Sequence, residues 1–376
     1  MGEAWVVDYV DQYRKRHLKT FKRRKDADAF RGTVTVEVRQ GTHAADSTSI
    51  TVAEAGRLWL ESSEGAGLER TTLDGYRQRL NLHIVPLIGG VKLSQLTVPM
   101  VRNFEDRLRK DRTPAMVRMV RGALGAIITD AHERGLVSQN VVRGLRAWRQ
   151  RGKERRTEAR QRGKLRIGVD IPAPEEIRKI IARLGDGRWR PLILTAIFTG
   201  LRASELRGLR WADVDLKRSE IHVRQRADYY RTIGAPKSAS SARTIPLAPT
   251  LVNTLREWKL ACPKGELDLV FPNGIGRIES HANIRNRGFI PAQIAAGIVT
   301  RDGKAKYPGL HSLRHFYASW CINRRVDGGL ELPLKLVQAR LGHASIQMTA
   351  DRYGHLFPRG DDGAELAEAE RAFLPG

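Results

Sequence analysis

Between Arg143 and Arg166 the chain carries eleven Lys or Arg against two acidic residues, a local excess of nine positive charges, with little apolar content beyond Leu145, Ala147 and Trp148. A packed core cannot use such a segment: the like charges repel, and so few apolar side chains cannot offset the entropy of ordering the backbone. Laid along a phosphate backbone, by contrast, it loses its self-repulsion and releases counterions. The chain therefore reads as two globular parts joined by a basic linker. Its 376 residues, 41% of them apolar, suffice for two or three domains with real cores, at roughly 100–200 residues each.

The linker holds over a third of a formal net charge of +25, from 66 Lys plus Arg and 41 Asp plus Glu. A surplus of this size acts on partners more than on fold, and it suits a polyanion, nucleic acid before an anionic membrane surface. The basic segments lack the amphipathic Trp/Leu face that a membrane-surface role needs. No apolar run reaches the ~20 residues that cross a bilayer, and Met1-Gly2-Glu3-Ala4-Trp5 lacks the order of a signal peptide. A cytoplasmic protein, nucleoid-associated when on DNA, is expected. Cys262 and Cys321 stand far apart without Cys-x-x-Cys or Cys/His spacing, which speaks against a disulfide framework and against structural zinc.

Along the chain, eight basic and no acidic residues fall between Arg14 and Lys25, interleaved with Leu18 and Phe21 as in a small folded module. Val34, Val36 and Val38 alternate with Thr35 and Glu37, the period of a strand, although Ala27 and Phe30 before them look helical. Thr51 with Glu54 gives a capping-box signal ahead of Val52, Ala55 and Trp59. Thr97 can cap a second helix carrying Val101, Phe104 and Leu108, and Met116, Val120, Ala123, Ile127 and Ala131 form a third stripe ended by Gly135. Residues 51–145 thus predict a bundle of about four helices. After the linker, Pro174 opens a helix with Ile177, Ile180, Ile181 and Leu184 inward, and a strongly apolar helix follows over 191–198. Beyond Trp211 the period changes. Ile221 and Val223, then Tyr229, then 244–247 are short strand candidates between Gly/Pro/Ser turns, before helices near 249–260, 282–295, 312–325 and 333–341.

Three segments of the second half carry chemistry: Thr199-Gly200-Leu201-Arg202-Ala203-Ser204-Glu205-Leu206, His311-Ser312-Leu313-Arg314-His315, and Leu341-Gly342-His343 followed by Tyr353-Gly354-His355. With Lys237 in a sheet turn they give the order Arg, Lys, His-x-x-Arg, Gly-His, Tyr, and in that order the sequence resembles the tyrosine recombinases, the phage-type integrase family. Tyr353 lies ten residues past His343, where many members have nine. The resemblance implies a multidomain, mainly α protein: an α-helical, SAM-like core-binding domain, an α-rich catalytic domain with a small antiparallel sheet, and a small N-terminal α+β arm-binding module.

Each site residue has a chemical reason. Direct attack on a phosphodiester adds negative charge to its nonbridging oxygens, which two guanidinium forks clamp better than lysines. The resemblance gives those places to Arg202 and Arg314, with Glu205 three residues on to orient Arg202. His311 and Arg314 share a helix face, while Phe316, Tyr317 and Trp320 supply buried sides. His343 resembles the family's second histidine, a hydrogen-bonding partner of the phosphate, and Lys237 the lysine that protonates the departing 5′-hydroxyl. Tyr353 is then the nucleophile. A phenol with a reference pKa near 10 needs a base and cations to attack at pH 7, and His311, Arg202 and Arg314 can provide them. Attack yields a 3′-phosphotyrosine and a free 5′-hydroxyl, a link that conserves bond energy, so no cofactor, ATP or metal is expected. His311 and His315 have the spacing of a metal pair, yet no Glu lies between them and Arg314 does, so His315 reads as a structural hydrogen-bonding histidine. Tyr307 and Tyr317 compete with Tyr353, but neither follows a Gly-His segment.

The front half fits the same family through Tyr76 to Gly89, with His83, Ile84 and Pro86, and through the Ala131-His132-Glu133-Arg134-Gly135-Leu136 turn. The expected division is an arm-type DNA-binding module over 1–49, a core-binding domain over 50–145, a basic linker over 146–171, a catalytic domain over 172–358 and an acidic tail over 359–376. In the tail Leu366 and Phe373 mark either a short amphipathic helix of the kind that docks on a neighbouring subunit or a frayed end. Arg149, Arg151, Lys153, Arg155 and Arg156 of the linker, with Lys22, Arg23 and Arg24, are the expected DNA contacts. The implied protein is a site-specific DNA recombinase that integrates or excises a mobile element, a homo-tetramer on double-stranded attachment sites, with accessory DNA-bending or directionality proteins as further partners. Two rivals remain: a type IB topoisomerase-like nicking-closing enzyme, which shares the chemistry but not the arm and core modules, and a non-catalytic DNA-binding regulator.

Overall fold

The computed structural model describes residues 4–41, 43, 45–144, 164–236, 238–358 and 362–374; Lys237 and the linker residues Arg149, Arg151, Lys153, Arg155 and Arg156 lie outside the described residues. The chain divides into two compact units, Met1–Arg151 and Gly152–Gly376.

The first unit begins with an antiparallel hairpin, β1 (Trp5–Val10) and β2 (Arg16–Phe21), registered Trp5↔Phe21 to Val10↔Arg16. Its turn is closed by Asp11, whose Oδ1 accepts the backbone N–H of Tyr13 at 2.9 Å and of Lys15 at 2.8 Å. Helix α1 (Arg24–Arg39) packs on the hairpin and buries Ala27 and Val34. The strand period over Val34–Val38 is therefore overruled: those valines lie inside α1, where only Val34 turns inward. β-branched residues weaken a helix but do not break it when the face before them, Ala27 and Phe30, is already committed to packing. The basic run occupies β2 and the entry to α1, leaving Lys22, Arg23 and Arg24 exposed.

The rest of the unit is helical: α2 (Val52–Gly65), α3 (Arg70–Arg79) running through a π-helical turn at Leu80–Ile84 into α4 (Val85–Ile88), α5 (Val98–Asp111) and α6 (Pro114–Glu133). The Thr51–Glu54 capping box forms, and Thr97 and Thr113 cap α5 and α6. The predicted stripes make one core of Val52, Trp59, Ile84, Val101, Phe104, Val120, Ile127 and their neighbours.

In the second unit, α7 (Pro174–Arg183) precedes α8 (Trp189–Thr199), a mostly apolar helix whose residues 191–197 are all buried. After the short α9 (Ala203–Gly208) comes a three-stranded antiparallel sheet of β3 (Val214–Asp215), β4 (Glu220–Val223) and, later in the chain, β7 (Arg243–Pro246), paired Val214↔Ile221 and Ile221↔Ile245. Between β4 and β7 lies a hairpin of β5 (Arg226–Ala227) and β6 (Ile233–Gly234), with Ala227 fully buried. Tyr229, expected in a strand, is in its turn and 77% exposed, because Asp228 and a left-handed Arg231 (φ 65°) reverse the chain there. Helices α10 (Pro249–Ala261), α11 (His281–Asn283), α12 (Ile290–Ala295), α13 (His311–Ile322), α14 (Leu334–Leu341) and α15 (Ile346–Tyr353) complete the core, α13 lying against α8. The acidic tail is helical, α16 (Asp362–Phe373), with Leu366 and Phe373 exposed. Among the described residues no helix is long and apolar enough to cross a membrane.

Candidate active site

Four segments of the second unit converge. The first is the break between α8 and α9. Gly200 ends α8 in a left-handed conformation (φ 60°) and lies so close to Tyr317 that a Cβ would stand 2.4 Å from its ring. Only glycine meets both demands. The turn it makes places Arg202 ahead of α9, where its backbone N–H donates to Glu205 Oε2 at 2.9 Å and its Nη1 to Glu205 Oε1 at 2.7 Å. Arg202 Nη2 reaches across to the Gly342 carbonyl at 3.0 Å, and Nη1 to Ser241 Oγ at 3.5 Å.

The second segment leads into β7. Arg243 donates Nη2 to Glu205 Oε2 at 2.8 Å, Nη1 to the Ser241 carbonyl at 2.8 Å and Nε to the Arg340 carbonyl at 2.7 Å. Burial alone would raise the Glu205 carboxyl, but the Arg243 hydrogen bond and the charges of Arg243 and Arg202 outweigh it and hold the pKa below the ordinary value. Lys237 falls between Pro236 and Ser238, and the Ser238 hydroxyl is 3.0 Å from that of Ser241, so the described chain on its C-terminal side abuts the Arg202 network.

The third and fourth segments are α13 and the stretch from the end of α14 through α15. Arg314, 2% exposed, donates Nη1 to the Gly200 carbonyl at 2.7 Å and Nη2 to that of Leu341. Burial, then the neighbouring Arg202, pulls its pKa down to about 9, which leaves it a cation at neutral pH. Gly342 (φ 63°) ends α14 and turns His343 inward, where Nδ1 lies 2.9 Å from the fully buried Thr349 Oγ1. The His343 ring is parallel to that of Tyr353, 6.2 Å between centroids. Tyr353 closes α15 and is 1% exposed, and His355 just beyond it donates Nε2–H to the Leu165 carbonyl at 2.7 Å.

Burial raises the Tyr353 phenol, while Arg314, Arg352 and Arg202 act in the opposite sense. His343 is pushed down to about 4, by burial first and then by Arg314, Arg202 and Arg243, and His315 to about 3, by burial first and then by His311, Arg352 and Arg314. Both are neutral at pH 7. His311, at the exposed start of α13, is lowered as well, by desolvation and then by Arg314, Arg352 and Arg202.

Arg202, Glu205, Arg314, His343 and Tyr353 are thus brought together, with His311 at the edge. One placement differs. The hydrogen bond at the Tyr353 hydroxyl is made by His315, Nδ1 to Oη 2.7 Å, and the His311 ring stands edge-on to His315, 4.5 Å away. Sequence reasoning also misses Arg243 and Thr349. Arg243 was findable: a buried carboxylate has more lone pairs than Arg202 alone can satisfy, and Arg243 opens the strand beside it. The competing tyrosines are spent elsewhere, Tyr317 beneath Gly200 and Tyr307 donating to Glu176 Oε2 at 2.5 Å.

The model of the Phage integrase family matches residues 173–359, and that of the Phage integrase, N-terminal SAM-like domain, residues 51–109. A tyrosine recombinase XerC-like protein of Caldanaerobacter subterraneus is 24% identical, over 90% of this chain and 87% of its own length, and the tyrosine recombinase XerC of Xylella fastidiosa is 29% identical, over 64% and 78%. Among solved structures, the Tn1549 transposon integrase in complex with transposon right end DNA matches at a TM-score of 0.64 with 16% identity, over 86% of this chain and 100% of that one. A lambda integrase tetramer bound to a Holliday junction matches at 0.58 with 17% identity, over 90% and 93%.

Proposed function

This chain belongs to the phage integrase family of tyrosine recombinases, a tyrosine-type site-specific recombinase, and on that footing we propose that it cuts and rejoins DNA through a 3′-phosphotyrosine on Tyr353, integrating or excising a mobile element. The observation that carries this reading is the meeting of Arg202, Arg314, His343 and Tyr353, from separate segments, around one buried point.

Arg202 and Arg314 are cations fixed by carbonyls and by Glu205, so they cost no reorganisation when charge builds on the nonbridging oxygens. His343, with Nδ1 engaged by Thr349, offers Nε2 to a phosphate oxygen. Lys237 protonates the 5′-oxygen as it leaves. Tyr353 is 1% exposed, so its hydroxyl has to become accessible before a phosphate reaches Oη. Residues 50–145 and 172–358 grip the core site, 1–49 an arm-type site, and the 146–171 linker crosses the backbone. Four strand exchanges then take place in a homo-tetramer on two attachment sites, the assembly in which lambda integrase is seen on a Holliday junction.

The test is covalent capture. Nicked duplexes with a randomised core are incubated with the full chain; wild type retains a subset as protein–DNA adducts, and Tyr353→Phe retains none. No adduct from the library would leave a DNA-binding regulator. Relaxation of supercoiled plasmid lacking the captured sequence would indicate a topoisomerase.

A further inference from the structure

We propose that Thr349 is a positioning residue of this site: its hydroxyl donates to His343 Nδ1 and so fixes the neutral ring as the tautomer that carries its hydrogen on Nε2, ready to donate to a nonbridging oxygen of the scissile phosphate. The proposal rests on the recombinase reading above.

A neutral imidazole has one donor and one acceptor nitrogen, and which is which is set by the bond made at the other end of the ring. His343 Nδ1 lies 2.9 Å from Thr349 Oγ1, and among the described residues this is the one hydrogen bond of the threonine hydroxyl. Thr349 is 0% exposed, so its hydrogen cannot go to solvent and is costly to leave unpaired. Other helical threonines of this protein give that hydrogen to the carbonyl four residues back: Thr195 to Pro191 at 2.7 Å, Thr129 to Gly125 at 2.8 Å, Thr254 to Thr250 at 2.9 Å. Thr349 makes no such bond to Ser345, which leaves Nδ1 as its acceptor. Were Nδ1 the donor instead, the buried hydroxyl hydrogen would have nowhere to go. The direction of the bond therefore puts the ring hydrogen on Nε2. Valine has the same shape without a hydroxyl and would fill this buried place on α15 at less cost, so the polar group answers to the histidine.

The fold holds both partners to this task. Ser345 Oγ accepts the Met348 N–H at 3.2 Å, which starts α15 and sets Thr349 one turn in. The His343 backbone is pinned to Gln338, its N–H donating to the Gln338 carbonyl at 3.2 Å and its carbonyl accepting from Gln338 Nε2 at 3.0 Å. His343 Nε2 makes no hydrogen bond among the described residues, so it is open to a ligand. Burial, then Arg314, Arg202 and Arg243, keeps the ring neutral at pH 7, so the tautomer, and not protonation, decides whether Nε2 can donate in the free protein.

The experiment reads the tautomer directly. In wild type labelled with 15N-histidine, the His343 resonances are those missing from His343→Gln, and they are expected to show a bare Nδ1 and a protonated Nε2 at pH 7. Thr349→Val is expected to populate the other tautomer and to slow single-turnover adduct formation about 10- to 100-fold on a duplex captured by wild type, with duplex affinity retained. Thr349→Ser, which keeps the hydroxyl, is expected to restore both. In a His343→Gln background, whose amide N–H needs no tautomer, Thr349→Val should change the rate by no more than about 2- to 3-fold. A wild-type His343 with its hydrogen on Nδ1 overturns the proposal, and this measurement decides the matter if Thr349→Val does not fold. So does a folded Thr349→Val that matches wild type in tautomer and rate, or one that slows adduct formation equally in both backgrounds, the mark of a merely structural role. Failure of wild type to form any adduct overturns the recombinase reading, on which the aim at phosphate depends, while the tautomer is still read from the free protein.

Discussion

Glu205 and Arg243 meet as a two-pronged pair, Nη2 to Oε2 at 2.8 Å and Nη1 to Oε1 at 3.1 Å, with only 3% and 6% of their side chains exposed. Arg202 shares the same carboxylate, so the first arginine of the site is held in place by the second through a buried anion. Breaking such a pair from one side leaves an uncompensated charge. Arg243→Ala is expected to cost the second unit about 3–5 kcal/mol in chemical denaturation and to slow adduct formation without removing any of the arginines assigned to the phosphate. A loss under about 1 kcal/mol, as exposed pairs give, would mean the pair does not support Arg202.

Gly200 and Gly297 separate strain from crowding. Both have positive φ, 60° and 71°, but a Cβ at Gly297 meets nothing within 4 Å while at Gly200 it meets Tyr317. Gly297→Ala should cost only the left-handed penalty of roughly 1–2 kcal/mol. Gly200→Ala should cost a further ~1–3 kcal/mol from overpacking, and should also displace Arg202. Urea denaturation of the two variants checks the difference.

Acid should destabilise the second unit through its histidines. His315 and His343 stay neutral in the fold down to about 3 and 4, whereas an unfolded histidine takes a proton near 6.5. The unfolded state therefore binds more protons below pH 6.5, and stability falls with falling pH by up to about 1.4 kcal/mol per unit for each histidine. Glu205 adds to the loss at lower pH, because its depressed pKa gives stability only while the carboxylate is ionised. Unfolding midpoints between pH 7 and 5 should drop less in His315→Asn than in wild type.

Nitration of the free protein should spare the nucleophile. Tyr13 and Tyr229 are 74% and 77% exposed and Tyr353 is 1% exposed. Tetranitromethane followed by peptide mass spectrometry should find nitrotyrosine at the first two positions; early modification of Tyr353 would show that the hydroxyl is open at rest.

Binding should weaken steeply with salt, and neutralising Arg149, Arg151, Lys153, Arg155 and Arg156 together should flatten the log–log slope by about 0.9 for each cation that lies on phosphate. An unchanged slope would take the linker off the DNA.

Much of this protein is legible before folding. The Thr51–Glu54 box, the Thr97 cap, Pro174 and the Gly135 stop are local signals and all form as read, because each depends on a few neighbouring residues. Val34–Val38 and Tyr229 depart from the strand reading for the converse reason. Their pattern is equally local, but α1 is decided by what Ala27 and Val34 pack against, and the β5–β6 turn by Asp228 and Arg231.

By itself the sequence determined the division into two units around an unburiable basic stretch and the order Arg202, His311, Arg314, His343, Tyr353, since charge, period and spacing are properties of the chain alone. The tertiary structure decided which histidine holds Tyr353. His311 and His315 are one helical turn apart, and nothing in their spacing says which of them α15 will meet. That depends on how Gly342 ends α14 and on Arg314 tying Leu341 to Gly200, the latter 114 positions back along the chain, a link that exists only once the core has closed.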